Sequence, residues 1–167
     1  LWEQLRDVVG ETPLRKKLPD DSSDLAQDLV DSLVLTDCPG SDRIENLLSD
    51  DREGALVHGT WLEVFLIRLA GARRLTETIP HLVKLIRSRT AGLNPVRKAA
   101  AESLARIDSA WAVELIAETH EDETRAIRKR EACVLGNVRH PESEDALIRF
   151  FSEEEDPAVR NQICLSL

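Results

Sequence analysis

Apolar residues recur through most of this sequence at the spacing of one face of an α-helix. Residues 94–108 give the clearest case, in which the apolar positions are Val96, Ala100, Leu104 and Ile107. Charged residues fall between them, so only one side of the segment is apolar. A period of about 3.6 residues of this kind predicts an amphipathic helix that packs its apolar side against the rest of the protein.

Helix-start signals precede several of these segments. Asn94 and Asp156 have side chains that accept hydrogen bonds from backbone N–H groups, and each stands directly before a proline. A proline is tolerated at the first helical position because the N–H that it lacks would have no partner there. His140 precedes a proline in a similar way, while Thr60 and Glu63 have the spacing of a capping box. These signals predict where helices begin.

The helical segments are related by an internal repeat of about 31 residues. Val96, Ile127 and Val159 are separated by 31 and 32 residues, and each is followed by an arginine. The arginine column consists of Arg97, Arg128 and Arg160. Two further columns align Ala101 with Ala132 and Cys164, and Leu104 with Leu135 and Leu167. Agreement of several columns in type and phase indicates a structural repeat.

A second apolar segment follows in each unit, which makes the unit a pair of helices. Leu115-Ile116 is matched 32 residues later by Leu147-Ile148. Such a pair cannot bury its apolar faces alone and must stack on its neighbours, so we predict an all-α fold, a solenoid of antiparallel helix pairs. We expect repeats over 56–92, 93–122 and 123–154, a half repeat over 155–167, and divergent helices over 1–55 with a linker at about 10–23.

Composition agrees with helices and limits the partners. Aromatic residues make up only 4% of the chain, and Leu, Ala, Val and Ile supply most of the apolar content, which suits packed helices. The net charge of −9 disfavours nucleic acid, because it repels a phosphate backbone. No apolar run is long enough to span a membrane. Three widely spaced cysteines without a CxxC motif favour reduced thiols in a cytoplasmic protein.

The segment VRKAAAESLARI, residues 96–107, resembles the opening helix of HEAT-like repeats, in particular the short phycobilisome-lyase type. That family pattern is V-R-x-A-A-A-x-A-L-G-x-I. The second copy, IRKREACVLGNV, departs from it by placing Arg130 and Glu131 where the family has alanine, which makes that face more polar. The resemblance covers residues 58–167 and implies a right-handed, armadillo-like α-α superhelix. The matching residues of the first copy are Val96, Arg97, Ala99, Ala100, Ala101, Leu104 and Ile107.

The arginine column has two interpretations. Three guanidinium groups at one repeat spacing could line an anion-binding groove. In HEAT-like families, however, this arginine usually binds an Asp or a carbonyl of a neighbouring turn, and Asp122 or Asp156 could serve here. We interpret Arg97, Arg128 and Arg160 as a structural ladder of this second kind.

No metal, cofactor or catalytic residue is predicted. Relatives of deoxyhypusine hydroxylase type carry His-Glu pairs directly after the Val-Arg dipeptide, but this chain has Lys98-Ala99, Lys129-Arg130 and Asn161-Gln162 there. The one His-Glu pair, His120-Glu121, ends a second helix, where we expect His120 to face solvent. Cys133 and Cys164 stand at or next to columns of small residues, so we expect buried and inert thiols.

The surface formed by the second helices remains as a candidate for binding. We expect its outward residues to be Lys84, Arg87, Glu114, Glu118 and Arg149, whose mixed charges suit a protein partner more than a polyanion. We therefore interpret the chain as a non-enzymatic scaffold or interaction module that binds another protein or another domain of its own polypeptide. The chain contains no methionine, so we expect it to be a segment of a larger protein. The alternative is an enzyme or lyase subunit of bilin-lyase type, as the repeat resemblance implies.

Overall fold

The computed structural model describes residues 1–10, 12–36, 40–49, 59–90, 92–118, 120 and 123–167. Within these ranges the chain is helical and has no β-strand, only an isolated bridge between Pro13 and Thr60. The prediction of an all-α protein is therefore confirmed. The α-helices are α1 (Trp2–Val9), α2 (Asp20–Val34), α3 (Ser41–Ser49), α4 (Trp61–Ala72), α5 (Ile79–Arg87), α6 (Asn94–Ile107), α7 (Ala110–Ala117), α8 (Arg125–Leu135), α9 (Pro141–Glu153) and α10 (Pro157–Ser166), and a 3₁₀ turn (Thr76–Thr78) precedes α5.

From α4 onwards the helices lie in two layers. One layer contains α4, α6, α8 and α10, each in contact with the next of these helices. The other contains α5, α7 and α9, again in sequential contact. The apolar core lies between the layers and continues into the N-terminal helices. No helix in the described part of the chain is both long and apolar enough to cross a membrane.

The apolar stripe of α6 is buried as its period predicts. Val96, Ala100 and Leu104 have no exposed surface, and Ile107 is 5% exposed. In the second helices, however, the register differs by one residue from the sequence alignment. Ile116 of α7 and Leu147 of α9 are both buried, and they are 31 residues apart, whereas Ile148 is 54% exposed. The helix that lies opposite decides which of two adjacent apolar residues turns inward.

Side-chain caps are formed at the starts of α4, α7, α9 and α10, by Thr60, Ser109, His140 and Asp156. An Asp156 carboxylate oxygen accepts hydrogen bonds from the Ala158 and Val159 N–H groups at 2.8 and 3.2 Å, which caps α10. The Thr60 hydroxyl accepts from the Glu63 N–H at 3.4 Å at the start of α4. The prediction of a capping Asn94 is wrong, because α6 already begins at Asn94, and its side-chain oxygen accepts from Arg97 at 2.5 Å.

The N-terminal helices pack on α4 and on one another. Helix α2 begins at Asp20, inside the region expected to be a linker. Pro19 directly before it suits a helix start, and the acidic residues Asp20 and Asp21 suit the positive end of the helix dipole. The Trp61 indole N–H donates to the Lys16 carbonyl at 2.7 Å, which ties the segment before α2 to α4.

Two joints within the first layer depend on a glycine. A Cβ atom added to Gly71 of α4 would lie 2.5 Å from the Ser103 side chain and 2.6 Å from its Cα atom. A Cβ atom added to Gly136, at the end of α8, would lie 2.6 Å from the side chain of Ser166. These distances show that α4 and α6, and likewise α8 and α10, approach so closely that only glycine fits.

The joint between α6 and α8 is wider than these two. Helices α6 and α8 are in less extensive contact than α4 and α6 or α8 and α10. A cleft of about 750 Å³ runs across this face of the first layer and is lined by Gly71 of α4, by Lys98 and Glu102 of α6, and by Cys133 of α8. The repeat frame places Val134 at the position that Ser103 and Ser166 occupy at the close joints. A bulkier side chain at this position agrees with the wider separation.

We expect Gly71→Ala to lower the free energy of unfolding by up to about 2 kcal/mol, because overpacking at the joint, which typically costs about 1 to 3 kcal/mol, exceeds the gain of about 1 kcal/mol in helix propensity. Urea denaturation monitored by circular dichroism measures this difference. Gly40→Ala serves as the control, since a Cβ atom there would meet nothing within 4 Å. A more stable Gly71→Ala variant, as propensity alone predicts, would contradict the close approach of α4 and α6.

Candidate functional site

A fully buried carboxylate lies at the centre of the second half of the protein. Glu131 of α8 has no exposed surface. One of its oxygens accepts a hydrogen bond from the Arg87 Nε at 2.7 Å, and the other lies 2.7 Å from the His120 Nδ1. Arg87 ends α5 and His120 follows α7, so this single carboxylate joins three helical regions. A buried charge is tolerated only with such partners.

Arg87 has a second role in the same place. Its Nη2 atom donates to the carbonyls of Leu115 and Ile116, each at 3.2 Å. These carbonyls belong to the last turn of α7, and the last four carbonyls of an α-helix in general have no intrahelical partner. Arg87 therefore neutralises the Glu131 carboxylate and also donates hydrogen bonds to the C-terminal carbonyls of α7.

His120 is held by stacking as well as by the carboxylate. Its ring is parallel to that of Phe150 of α9, with centroids 3.7 Å apart. Because a carboxylate oxygen can only accept, Nδ1 is assigned as a donor to Glu131. The other ring nitrogen, Nε2, is buried and has no hydrogen-bond partner among the described residues. The expectation of a solvent-facing His120 is wrong, since only 3% of the residue is exposed.

A second ion pair borders this network. Arg128 binds both carboxylate oxygens of Glu154, at 2.7 and 3.1 Å, and donates to the Glu123 carbonyl at 2.7 Å. Burial alone raises the pKa of the Glu154 carboxyl, but the hydrogen bonds from Arg128 and from the Asp156 N–H outweigh burial and hold the pKa below its ordinary value. Glu154 is thus kept ionised by its surroundings.

Two adjoining clefts open beside these residues. The first, which we call the His120 cleft, has a volume of about 540 Å³ and is lined by His120, Arg128, Phe150, Glu153, Glu154 and Glu155. The second, the α7–α9 groove, has a volume of about 500 Å³ and is lined by Glu114, Ala117, Glu118, Arg149, Phe150 and Glu153. Phe150 and Glu153 belong to both, so the two clefts form one continuous surface.

Carboxylates dominate this surface. Five glutamates line the two clefts, against two arginines. Arg128 is already paired with Glu154, and the Arg149 guanidinium lies over the Phe150 ring at 5.7 Å from its centroid. The surface therefore carries a negative charge beside a buried aromatic pair.

The structure brings together three of the five residues that were expected to form the partner-binding groove. Glu114, Glu118 and Arg149 line the α7–α9 groove. Lys84 is exposed on α5 but lines neither of the two clefts. Arg87 is not an outward residue: its side chain is only 19% exposed, because Glu131 and the end of α7 bind it internally.

The arginine column shows one shared kind of contact. Arg97 donates to the carbonyls of Ser88 and Thr90, Arg128 to that of Glu123, and Arg160 to that of Glu154. Each of these carbonyls lies in the turn that precedes the helix of its arginine. Of the two aspartates proposed as partners, Asp156 pairs with Arg125 at 3.2 Å, and Asp122 lies outside the described residues.

Neither described cysteine is buried, contrary to expectation. Cys133 and Cys164 are both exposed, and Cys38 lies outside the described residues. Their neighbours Ala132 and Ile163 take the inward positions, with no exposed surface. Adjacent helical residues point about 100° apart, so only one of each two can face the core.

Metal ligands do not converge anywhere in the described ranges, since no three His, Cys, Asp or Glu side chains there are grouped to hold an ion. His120 binds Glu131 instead of a sequence neighbour, and Glu121 lies outside those ranges. Periodicity did not reveal the Glu131 network. Its signal in the sequence was a charged residue at a position where the repeat pattern has alanine.

The chain matches no protein-family model, and no curated protein matches its sequence. The resemblance to HEAT-like repeats therefore stays an interpretation of the repeat pattern itself.

We expect Arg87→Met to lower the free energy of unfolding by about 3 to 5 kcal/mol, because it leaves the Glu131 charge buried without its cation. Thermal and urea denaturation measure the loss. Lys98→Met is the matched control, since the Lys98–Glu102 pair at 3.9 Å is exposed and is expected to contribute at most about 1 kcal/mol. The double variant Arg87→Met/Glu131→Leu should regain part of the lost stability, and strict additivity of the two single changes would contradict the pairing.

Glu154→Gln should be less stable than the parent protein at pH 7. The folded carboxyl has a depressed pKa, so its stabilising contribution is present above the ordinary value near 4.5 and is lost as the pH falls through the folded pKa. The stability difference between parent and variant should therefore shrink below about pH 4.5. Urea denaturation from pH 7 to pH 3 measures it, with Glu153→Gln as the adjacent exposed control. A difference that stays constant with pH would rule out this linkage.

Proposed function

We propose that this chain is a non-enzymatic protein-interaction module, a HEAT-like, right-handed α-α solenoid segment. Its α7–α9 groove binds another protein or another domain of the same polypeptide. Support for the solenoid comes from the 31-residue repeat together with the two layers in which successive helices contact one another. The repeat divisions at 56–92, 93–122 and 123–154 each contain one helix of each layer.

The observation that carries the binding proposal is the α7–α9 groove itself. Residues from two successive second-layer helices line it, and in solenoids such a surface extends from repeat to repeat. Trp111, which is 43% exposed, lies one helical turn before Glu114 on α7. An exposed tryptophan beside charged residues is a common composition for a protein-binding surface.

The charge of the surface indicates the chemistry of the partner. With five glutamates and two arginines around the two clefts, the surface attracts a basic segment and repels a phosphate backbone. We therefore propose a partner that presents lysine or arginine residues to α7 and α9. The bilin-lyase alternative stays an implication of the repeat resemblance alone.

A photo-crosslinking amino acid placed at Glu118 tests the groove in the cells that make the protein. We expect a discrete crosslinked partner, identified by mass spectrometry, that is absent when the same amino acid replaces the exposed Glu102 of α6. Binding of that purified partner, measured by calorimetry, should weaken by at least about ten-fold in Glu114→Lys/Glu118→Lys, because like charges then face each other.

Glu142→Lys/Glu144→Lys supplies the matched control, since it makes the same change of charge at the start of α9 and away from the groove. Equal crosslinking at positions 118 and 102, or equal weakening by the two charge reversals, would refute binding at this face.

A further inference from the structure

The cleft of about 750 Å³ that crosses α4, α6 and α8, which we call the first-layer cleft, carries a positive charge in an otherwise acidic protein. Two of the residues that line it are acidic, Glu102 and Asp108, and four are basic. The basic residues are Arg74, Lys98, Arg106 and Arg139. The excess of two positive charges contrasts with the net charge of −9 of the whole chain. A cleft lined mainly by one sign of charge attracts ligands of the opposite sign.

Three of these cations have no partner within the described part of the protein. Lys98 pairs with Glu102 at 3.9 Å. Arg74, Arg106 and Arg139 are exposed, and their side chains form no hydrogen bond or ion pair with any described residue. A guanidinium group stays charged at physiological pH, and its planar fork of N–H donors fits a carboxylate. The cleft therefore offers three unused cationic donors to a ligand.

These arginines stand at the C-terminal ends of three successive helices of the first layer. Arg106 lies in the last turn of α6, whereas Arg74 and Arg139 follow the ends of α4 and α8. Packed helices lie about 8 to 10 Å apart, so three in a row extend over about 16 to 20 Å. A single carboxylate or phosphate is too small to bridge that distance. About six residues of extended chain are long enough to span it.

The middle of the cleft has room for the main chain of such a segment. Ala101 and Ala105 lie one turn apart on α6, line the cleft and are partly exposed. Their small side chains allow a main chain to approach. The N–H groups of a peptide can donate to Glu102 and Asp108, whereas these carboxylates repel the phosphates of a nucleic acid. A peptide with acidic side chains therefore matches both kinds of charge in the lining.

We propose that the first-layer cleft binds an extended acidic segment of a protein, whose carboxylates accept hydrogen bonds from Arg74, Arg106 and Arg139. This site goes beyond the proposed function, because it lies on the other layer from the α7–α9 groove and takes a ligand of the opposite charge. Since Glu102 lines the first-layer cleft, a protein captured by a crosslinker at position 102 is expected to be an acidic partner, distinct from the one captured at position 118.

Nuclear magnetic resonance of the ¹⁵N-labelled protein tests this site. The probe is an acetylated and amidated hexapeptide in which glutamate and alanine alternate, and the control peptide has glutamine in place of each glutamate. We expect saturable shifts of the side-chain Nε–H resonances of Arg74, Arg106 and Arg139. The affinity should be at least about five-fold above that of the control peptide, as several exposed ion pairs together provide. Absence of saturable shifts at these resonances, or equal affinity for the two peptides, would overturn the proposal.

Two double variants distinguish the cleft from the charge of the protein as a whole. Arg106→Gln/Arg139→Gln should weaken binding of the acidic hexapeptide by at least about three-fold. Arg15→Gln/Arg89→Gln removes the same charge from two exposed arginines that do not line the cleft, and it should leave the affinity unchanged. An equal loss in the two double variants would show a general charge effect and overturn the site.

Titration with an oligodeoxythymidylate distinguishes an acidic segment from a nucleic acid, which is the other polyanion that arginines bind. We expect the oligonucleotide to bind more weakly than the hexapeptide at the same ionic strength, because Glu102, Asp108 and the net charge of −9 repel its phosphates. Tighter binding of the oligonucleotide, with displacement of the hexapeptide, would overturn the assignment of an acidic protein segment.

Discussion

The buried carboxylate of Glu131 is the constraint around which the second half of the protein is arranged. A charge without solvent must be matched inside the protein, and the matching groups come from Arg87 at the end of α5 and from His120 after α7. Since Arg87 also binds the last carbonyls of α7, and His120 stacks on Phe150 of α9, four helices meet at this point. A glutamate where the repeat pattern has alanine thus determines how neighbouring repeats join.

The Glu131 network is a polar joint between helices, and it differs in kind from the two glycine joints of the first layer. The contacts of Gly71 with Ser103 and of Gly136 with Ser166 rest on close van der Waals packing, which depends on side-chain size. Between α6 and α8 the first layer is wider, and the main directional contacts cross to α5 and α7 through the Glu131 network. Successive helices of the second half are therefore held by two different interactions, one steric and one electrostatic.

The candidate binding surface is a consequence of the same network. Stacking on His120 fixes Phe150 between the His120 cleft and the α7–α9 groove, and the pairing of Arg128 with Glu154 leaves the outer glutamates uncompensated. A negatively charged groove beside a buried aromatic pair follows from these internal contacts. The proposed interaction with a basic segment depends on groups that are positioned by interactions within the protein.

Short-range patterns in the sequence predict most of the helices, the buried stripe of α6 and the capping Asp156, because these depend on residues within a few turns of one another. It also placed Glu114, Glu118 and Arg149 on one surface, since they occupy equivalent faces of successive second helices. The packing of distant helices decides that Arg87 is largely enclosed, that His120 is buried, that Cys133 is exposed, and that Ile116 corresponds to Leu147. The physical reason is that the solvation of a side chain depends on which helix lies opposite, and the opposing residues are 11 to 44 positions away in the chain.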